Sequence, residues 1–312
     1  PILALNYATN PVTSSVSNTE TIDPNNPATN NKEGNGRENI FQFGLLPEDD
    51  AKQVALKAWQ DGHRNVAILH PESIWGTRIS QAFVSYWQTL GGDVVSNHSF
   101  DPQHGFSNPI KQLLNIDESE RRAKLLKQNL NAKFEFSVRR RKDIDFIFLL
   151  ATPKQARQIK PTLAFYYANE IPVYATAHLY EGHTNNSERD RDMNGIIFCD
   201  IPWVLKQDDP VKSNSLAAWP DNPNRYQRLV ALGVDAYRLH SRLAILAAAP
   251  SSKVYGATGV LTLTEENRFQ RNLLWAKIVG GNARIIQTFD NQTDPQIILS
   301  NDNEKRQLSP PK

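Results

Sequence analysis

Residues 145–167 read DFIFLLATPKQARQIKPTLAFYY. An apolar run with the character of a buried strand passes into a small-residue turn, Ala151-Thr152-Pro153, and then into the start of a helix. In a parallel α/β sheet such a turn lies at the carboxyl end of a strand, where these folds hold their ligands. The turn is therefore either a grip for a small molecule or a piece of scaffold.

The same alternation recurs on both sides of this unit. Pro47-Glu48-Asp49-Asp50 places a proline and three carboxylates in the first turn of a helix, where the dipole favours them. Ala51, Val54, Ala55, Ala58 and Trp59 form the apolar stripe of that helix. Residues 65–69 read as a strand, 79–90 as an amphipathic helix broken by Gly91-Gly92, 93–100 as a strand and 110–130 as one longer charged helix. Residues 171–175 and 194–199 are further strands, and a helix is expected over 153–169. Strands separated by helices run parallel, which predicts a doubly wound α/β fold. The pattern changes after Ile201-Pro202-Trp203. Residues 225–249 then read as a single helix and 273–279 as a late strand. Near the start, 2–6 and 41–45 are short strands, while 10–39 are almost entirely Ser, Thr, Asn, Pro and Gly and predict a long mobile surface loop. The broken and resumed pattern predicts two lobes, one from 1–45 and 204–266 and the other from 46–203 and 267–290, with a polar tail over 291–312.

Composition bounds the function. The chain has 312 residues, 39% hydrophobic and 22% charged, with a net charge of +2. That charge implies no general attraction to nucleic acid or acidic membranes. No run reaches the ~18 apolar residues of a membrane helix. The single cysteine, Cys199, excludes an internal disulfide and a cysteine-cluster metal site. Pro1 at the start implies a piece of a longer protein.

Several stretches together resemble a known family. PEDDAKQVALKAWQDGHRNVAILHPESIWGTRISQAFVSYWQTLGGDV (47–94) follows the type I periplasmic-binding-protein fold after its first hinge. More narrowly, GLLPEDDA (44–51), FLLATPKQARQIKPTL (148–163), MNGIIFCDIPW (193–203) and GATGVLTL (256–263) resemble the LppC family of penicillin-binding-protein activator lipoproteins. The resemblance runs to about residue 287, interrupted over 10–39 and 121–142. It implies a two-lobed fold whose first lobe lacks its opening strands here. It also implies a periplasmic protein, anchored to the outer membrane by a lipidated part outside this chain, that stimulates a class A penicillin-binding protein, a bifunctional peptidoglycan synthase. Peptidoglycan itself is a further candidate partner. The rival reading is a periplasmic receptor that closes around an amino acid or similar solute.

Thr9 matches a position where amino-acid-binding relatives of this fold hold their ligand; turn chemistry is the alternative. Ala151 permits close backbone approach, and Thr152 can either face a ligand or cap the helix that starts at Pro153. His178 and Tyr180 follow the 171–175 strand and are placed to face the cleft. Neither turn carries an arginine for a carboxylate ligand, so the cleft is expected to survive as shape. Signatures of nucleotide binding, serine hydrolases and zinc proteases are absent, so no catalytic group, cofactor or metal is expected. His178 and His183 are five residues apart and read as solvated surface, and Cys199 reads as a buried inert thiol. Between Arg121 and Lys142 stand nine basic residues against Glu135 alone, a local charge of +8. Within it, Arg139, Arg140, Arg141 and Lys142 are the candidates for docking an acidic partner. The stretch lacks a nucleic-acid recognition module.

Overall fold

Phe146, Phe148 and Leu150 pack on one face of a sheet, and Ile147 and Leu149 on the other. Burial on both faces is what a central strand of a parallel sheet requires, and it explains the unbroken apolar run. The structure is a computed structural model; it describes residues 2–5, 40–130, 137–182, 187–206, 208–219 and 226–287. Thr9, segment 10–39, His183 and the tail 291–312 lie outside the described residues.

In chain order the elements are β1 (Ile2–Ala4), β2 (Ile40–Gln42), α1 (Pro47–Gln60), β3 (Asn65–Pro71), α2 (Ile74–Leu90), β4 (Asp93–Phe100), α3 (Ser107–Leu113), α4 (Ile116–Leu130), β5 (Phe146–Leu149), α5 (Pro153–Phe165) and β6 (Val173–Ala175). There follow α6 (Ser187–Asp190), β7 (Ile197–Asp200), α7 (Pro202–Leu205), α8 (Pro210–Ala218), α9 (Gln227–His240), α10 (Leu243–Ala248), β8 (Val254–Gly256), β9 (Gly259–Leu263), β10 (Phe269–Asn272), β11 (Leu274–Val279) and β12 (Asn282–Gln287).

Seven strands form one sheet in the order β12-β11-β7-β6-β5-β3-β4. The five from β3 to β7 are parallel, and α1 and α2 cover one face while α3 and α5 cover the other. This is the expected doubly wound α/β arrangement. The chain leaves the sheet after β7 through α7–α10 and β8–β10 and enters β11 directly from β10, with no helix between, and β11 runs antiparallel to both of its neighbours. Two small sheets stand beside the large one: β1 pairs parallel with β2, and β10-β9-β8 is antiparallel. Gln42 joins them, its N–H donating to the Asn267 carbonyl at 2.9 Å. Phe41, Phe43, Leu239, Leu243, Leu246, Leu261 and Phe269 make their separate core.

Four expectations shift. Helix α2 starts earlier than residue 79, because the Ser73 hydroxyl accepts from the Gly76 N–H at 3.0 Å and caps it. The expected helix over 110–130 breaks into α3 and α4 at Asn115, whose φ of 59° is left-handed, a conformation asparagine tolerates. The helix expected over 225–249 divides into α9 and α10 at Ser241 and Arg242. Residues 269–272, expected in the larger lobe, pair with β9 in a small sheet, so the chain crosses back at Leu273.

The turn between β8 and β9 is bound by α9. Asp235, fully buried, accepts the Ala257 and Thr258 N–H groups at 2.8 and 2.7 Å and the Thr258 hydroxyl at 2.7 Å. Its carboxylate lies where a side chain at Gly256 would be, 2.5 Å from an added Cβ. Gly259 has a φ of 136°, and a Cβ there would meet the Asn272 carbonyl oxygen at 2.5 Å. The glycines of GATG are thus demanded by one close carboxylate and one left-handed turn. Gly259→Ala is expected to destabilise the fold by ~2–4 kcal/mol and Gly256→Ala by ~1–3 kcal/mol. Urea unfolding of both variants checks this.

Candidate functional site

The carboxyl ends of β3, β5, β6 and β7 define the candidate cleft. Ala151, at the end of β5, is 2% exposed and packs into the core. Thr152 is the N-cap of α5: its N–H donates to Gln155 Oε1 at 2.8 Å, and its carbonyl accepts the Ala156 N–H at 2.9 Å. After β6 the chain makes a 3-10 turn over Ala177–Leu179 that carries His178 to the cleft. There its ring meets Trp75 edge-on, with centroids 5.0 Å apart. His178 keeps solvent-accessible surface although protein crowds around it. That crowding, followed by repulsion from Arg228, lowers its pKa toward about 4. Tyr180 turns away from the cleft and buries its ring against Phe198, with centroids 5.2 Å apart. Of the described sequence candidates, Thr152 and His178 are therefore the ones with surface at this end of the sheet.

The residue that dominates the site comes from α9. Arg228 donates from Nε to Asp200 Oδ1 at 3.0 Å and from Nη2 to Asp200 Oδ2. Nη2 also donates to the Ala177 and Tyr180 carbonyls at 2.9 and 2.8 Å. Asp200, fully buried at the end of β7, accepts the Ile201 N–H at 2.8 Å as well. The arginine that neither turn supplies in sequence is present in space, and a carboxylate of the chain itself occupies it. The Asp200 pKa is raised by burial, against the pull of Arg228.

A second pair lies close by. Arg271 of β10 donates to Asp50 of α1 at 3.1 Å, and both are buried. Gln53 donates to the Arg271 carbonyl and accepts the Leu273 N–H, each at 2.9 Å. Burial outweighs the attraction of Arg271 and lifts the Asp50 pKa from 3.8 to about 6. Cys199 is buried beside the two carboxylates; burial and then Asp50 and Asp200 push its thiol up.

The basic segment divides by role. Arg140 caps the carboxyl end of α5, donating to the Tyr167 carbonyl at 2.7 Å and pairing with Glu170. Arg141 grips both oxygens of Asp143 at 2.7 and 2.6 Å and donates to the Val95 carbonyl at 2.8 Å. Arg139 and Lys142 point outward. The local charge is also smaller than a count over 121–142 implies. Asp117, Glu118, Glu120 and Asp143 flank it, so nine basic residues face five acidic ones, a net +4. Arg121 pairs with Glu118 at 2.6 Å.

Two measurements test the buried pairs. Arg228→Ala leaves Asp200 buried without its cation and is expected to cost ~3–5 kcal/mol in urea unfolding, with part recovered in the Arg228→Ala/Asp200→Asn double variant. Between pH 3.8 and about 6 the folded chain keeps the Asp50 proton that the unfolded chain has released. Through this group, stability is fully present below that window and falls as pH rises across it. Melting temperature against pH is expected to lose that component in Asp50→Asn.

Comparison with known proteins agrees with this architecture. The H. influenzae structure described as "LpoA (YraM) C-domain from Haemophilus influenzae, a regulator of PBP1A" superposes with a TM-score of 0.61 at 22% identity, covering 91% of this chain and 74% of that one. A structure named for a branched-chain amino acid ABC transporter of Chromobacterium violaceum reaches 0.54 at 24% identity, covering 76% and 67%. Among sequence relatives, the penicillin-binding protein activator LpoA of Vibrio antiquarius is 29% identical over 241 residues, and that of Aliivibrio fischeri 30% over 241. These matches take in 77% and 76% of this chain but 40% of each relative, so the chain spans well under half the length of the relatives it matches. The profile of the family described as "LppC putative lipoprotein" matches residues 15–281. The chain belongs to the LppC lipoprotein family.

Proposed function

We propose that this chain is the binding-protein-like domain through which an outer-membrane-anchored periplasmic lipoprotein contacts and activates a class A penicillin-binding protein, and that it acts without catalysis of its own. The observation that carries this reading is the occupied arginine. A solute receptor of this fold needs a cation or polar cluster free to meet its ligand, and Arg228 is committed to Asp200 and two carbonyls. The names of the relatives, activators and a regulator of a penicillin-binding protein, support the same direction. In this reading the two sheet systems are lobes of one rigid docking body, divided near residues 45, 203 and 273. Activation is carried by their outer surface, with peptidoglycan itself left as a secondary ligand.

The test is a peptidoglycan synthesis assay with a purified class A enzyme and the purified chain. Stimulation is expected from the parent and equally from His178→Ala and Thr152→Ala. In parallel, melting of the chain with a panel of amino acids is expected to show no shift, whereas a true ligand at 100 times its dissociation constant would add ~2.7 kcal/mol to unfolding. A specific shift that vanishes in His178→Ala would establish the receptor reading instead.

A further inference from the structure

The carboxyl end of α5 carries a feature that packing does not explain. Helix α5 ends in a two-bond motif, with the Tyr167 N–H donating to the Ala164 carbonyl at 3.1 Å and the Ala168 N–H to the Leu163 carbonyl at 2.9 Å. The residue after the cap in this motif takes a left-handed backbone and is normally glycine, because a side chain there is strained. Here it is Tyr167, with a φ of 62° and 65% of its surface exposed. A bulky ring kept in a strained conformation yet open to solvent contributes little to the fold. Phe165, two residues back, is 74% exposed and lies edge-on to Tyr166 with centroids 5.0 Å apart.

The basic segment is bound to this end of the helix. Arg140 reaches the Tyr167 carbonyl, and Arg141 holds the segment to β4. Their charges are answered by Glu170 and Asp143. The flanking Arg139 and Lys142 are exposed and form no ion pair with a described residue. Two aromatic rings and two unanswered cations are thus presented on a backbone fixed from both sides, and exposed aromatics with arginine are the composition of an interface hot spot. Because α5 starts at the cleft and runs 13 residues, this surface lies about 20 Å from the cleft, at the opposite end of the sheet.

We propose that Phe165, Tyr167, Arg139 and Lys142 form the surface that docks an acidic, partly apolar face of the protein partner. The proposal rests on the functional reading above and names the partner as the class A penicillin-binding protein. The charge favours a protein over a lipid surface: basic clusters that hold anionic membranes carry 4–8 Lys or Arg, and within the run 139–142 Arg139 and Lys142 are the two without an ion pair to a described residue.

Binding of the purified chain to the purified synthase, measured at two salt concentrations alongside melting temperature, tests it. Tyr167→Gly relieves the left-handed strain, so it is expected to melt about 2–4 °C higher while binding the synthase about tenfold more weakly or worse. Phe165→Ser is expected to weaken binding as well. Arg139→Glu with Lys142→Glu is expected to slow association and flatten its salt dependence. If the parent binds and all these variants bind equally, the surface is wrong and the functional reading stands. If the parent does not bind, both fall together. A Tyr167→Gly protein that melts lower overturns the strain argument and the proposal with it. Variants that lose binding to phosphatidylglycerol vesicles but not to the synthase assign the surface to lipid and overturn the proposal.

Discussion

Arg228 is the side chain on which the relation between the large sheet and the small ones turns. It is carried by α9, whose Asp235, Leu239 and neighbours belong with the small sheets, and it ends among acceptors at the carboxyl ends of β6 and β7. One guanidinium satisfies a fully buried carboxylate and two carbonyls, the saturation a desolvated ion pair needs to persist. Asp50 and Arg271 repeat the arrangement at the other crossing, from α1 to β10. With one joint closed by a partly exposed arginine over a fully buried carboxylate and the other by a buried charge pair, the relative placement of the sheets is set by chemistry that tolerates little adjustment. Arg228, the cation at the carboxyl ends of β6 and β7, is thereby engaged in holding the two sheet systems together.

Three of the four short segments that carry the family resemblance take on a physical meaning in this light. GLLPEDDA contains Asp50, MNGIIFCDIPW contains Cys199 and Asp200, and GATGVLTL contains the turn that Asp235 binds. Trp203 joins the last two, its N–H donating to the Ala257 carbonyl at 3.0 Å and its indole to Gln227 at 3.1 Å. What these motifs share is position at the joints, where the backbone passes between sheets and each polar group must find a partner away from water.

Much of the large sheet was legible because its signals are local. A strand buried on both faces is an unbroken apolar run, and the stripe of α1 is a spacing. The direction of β11 was not legible, since it depends on the chain returning from the small sheets instead of through a helix. Asp50 was found as a helix-start acid, which it is, but its burial depends on Arg271, 221 residues away. Arg228 and Asp200 stand 28 residues apart, and a charged residue in sequence reads as surface until its partner is seen. The basic segment misled in the opposite way. Its charges were counted without Glu118, Glu120 and Asp143, the acids that the fold sets beside it.

The antiparallel return of β11 bears on how the chain is assembled. Cys199 has Trp275 as its register partner, and Phe198 has Ala276. During synthesis, β7 emerges long before the strand that completes its outer side, and everything in the small antiparallel sheet is made in between. Until then the nascent large lobe has an open strand edge, the kind of surface on which unfinished chains pair with one another. A fragment ending after β7 would carry that edge permanently. β11 covers that edge of β7, and β12 then stands as the outermost strand on that side of the sheet.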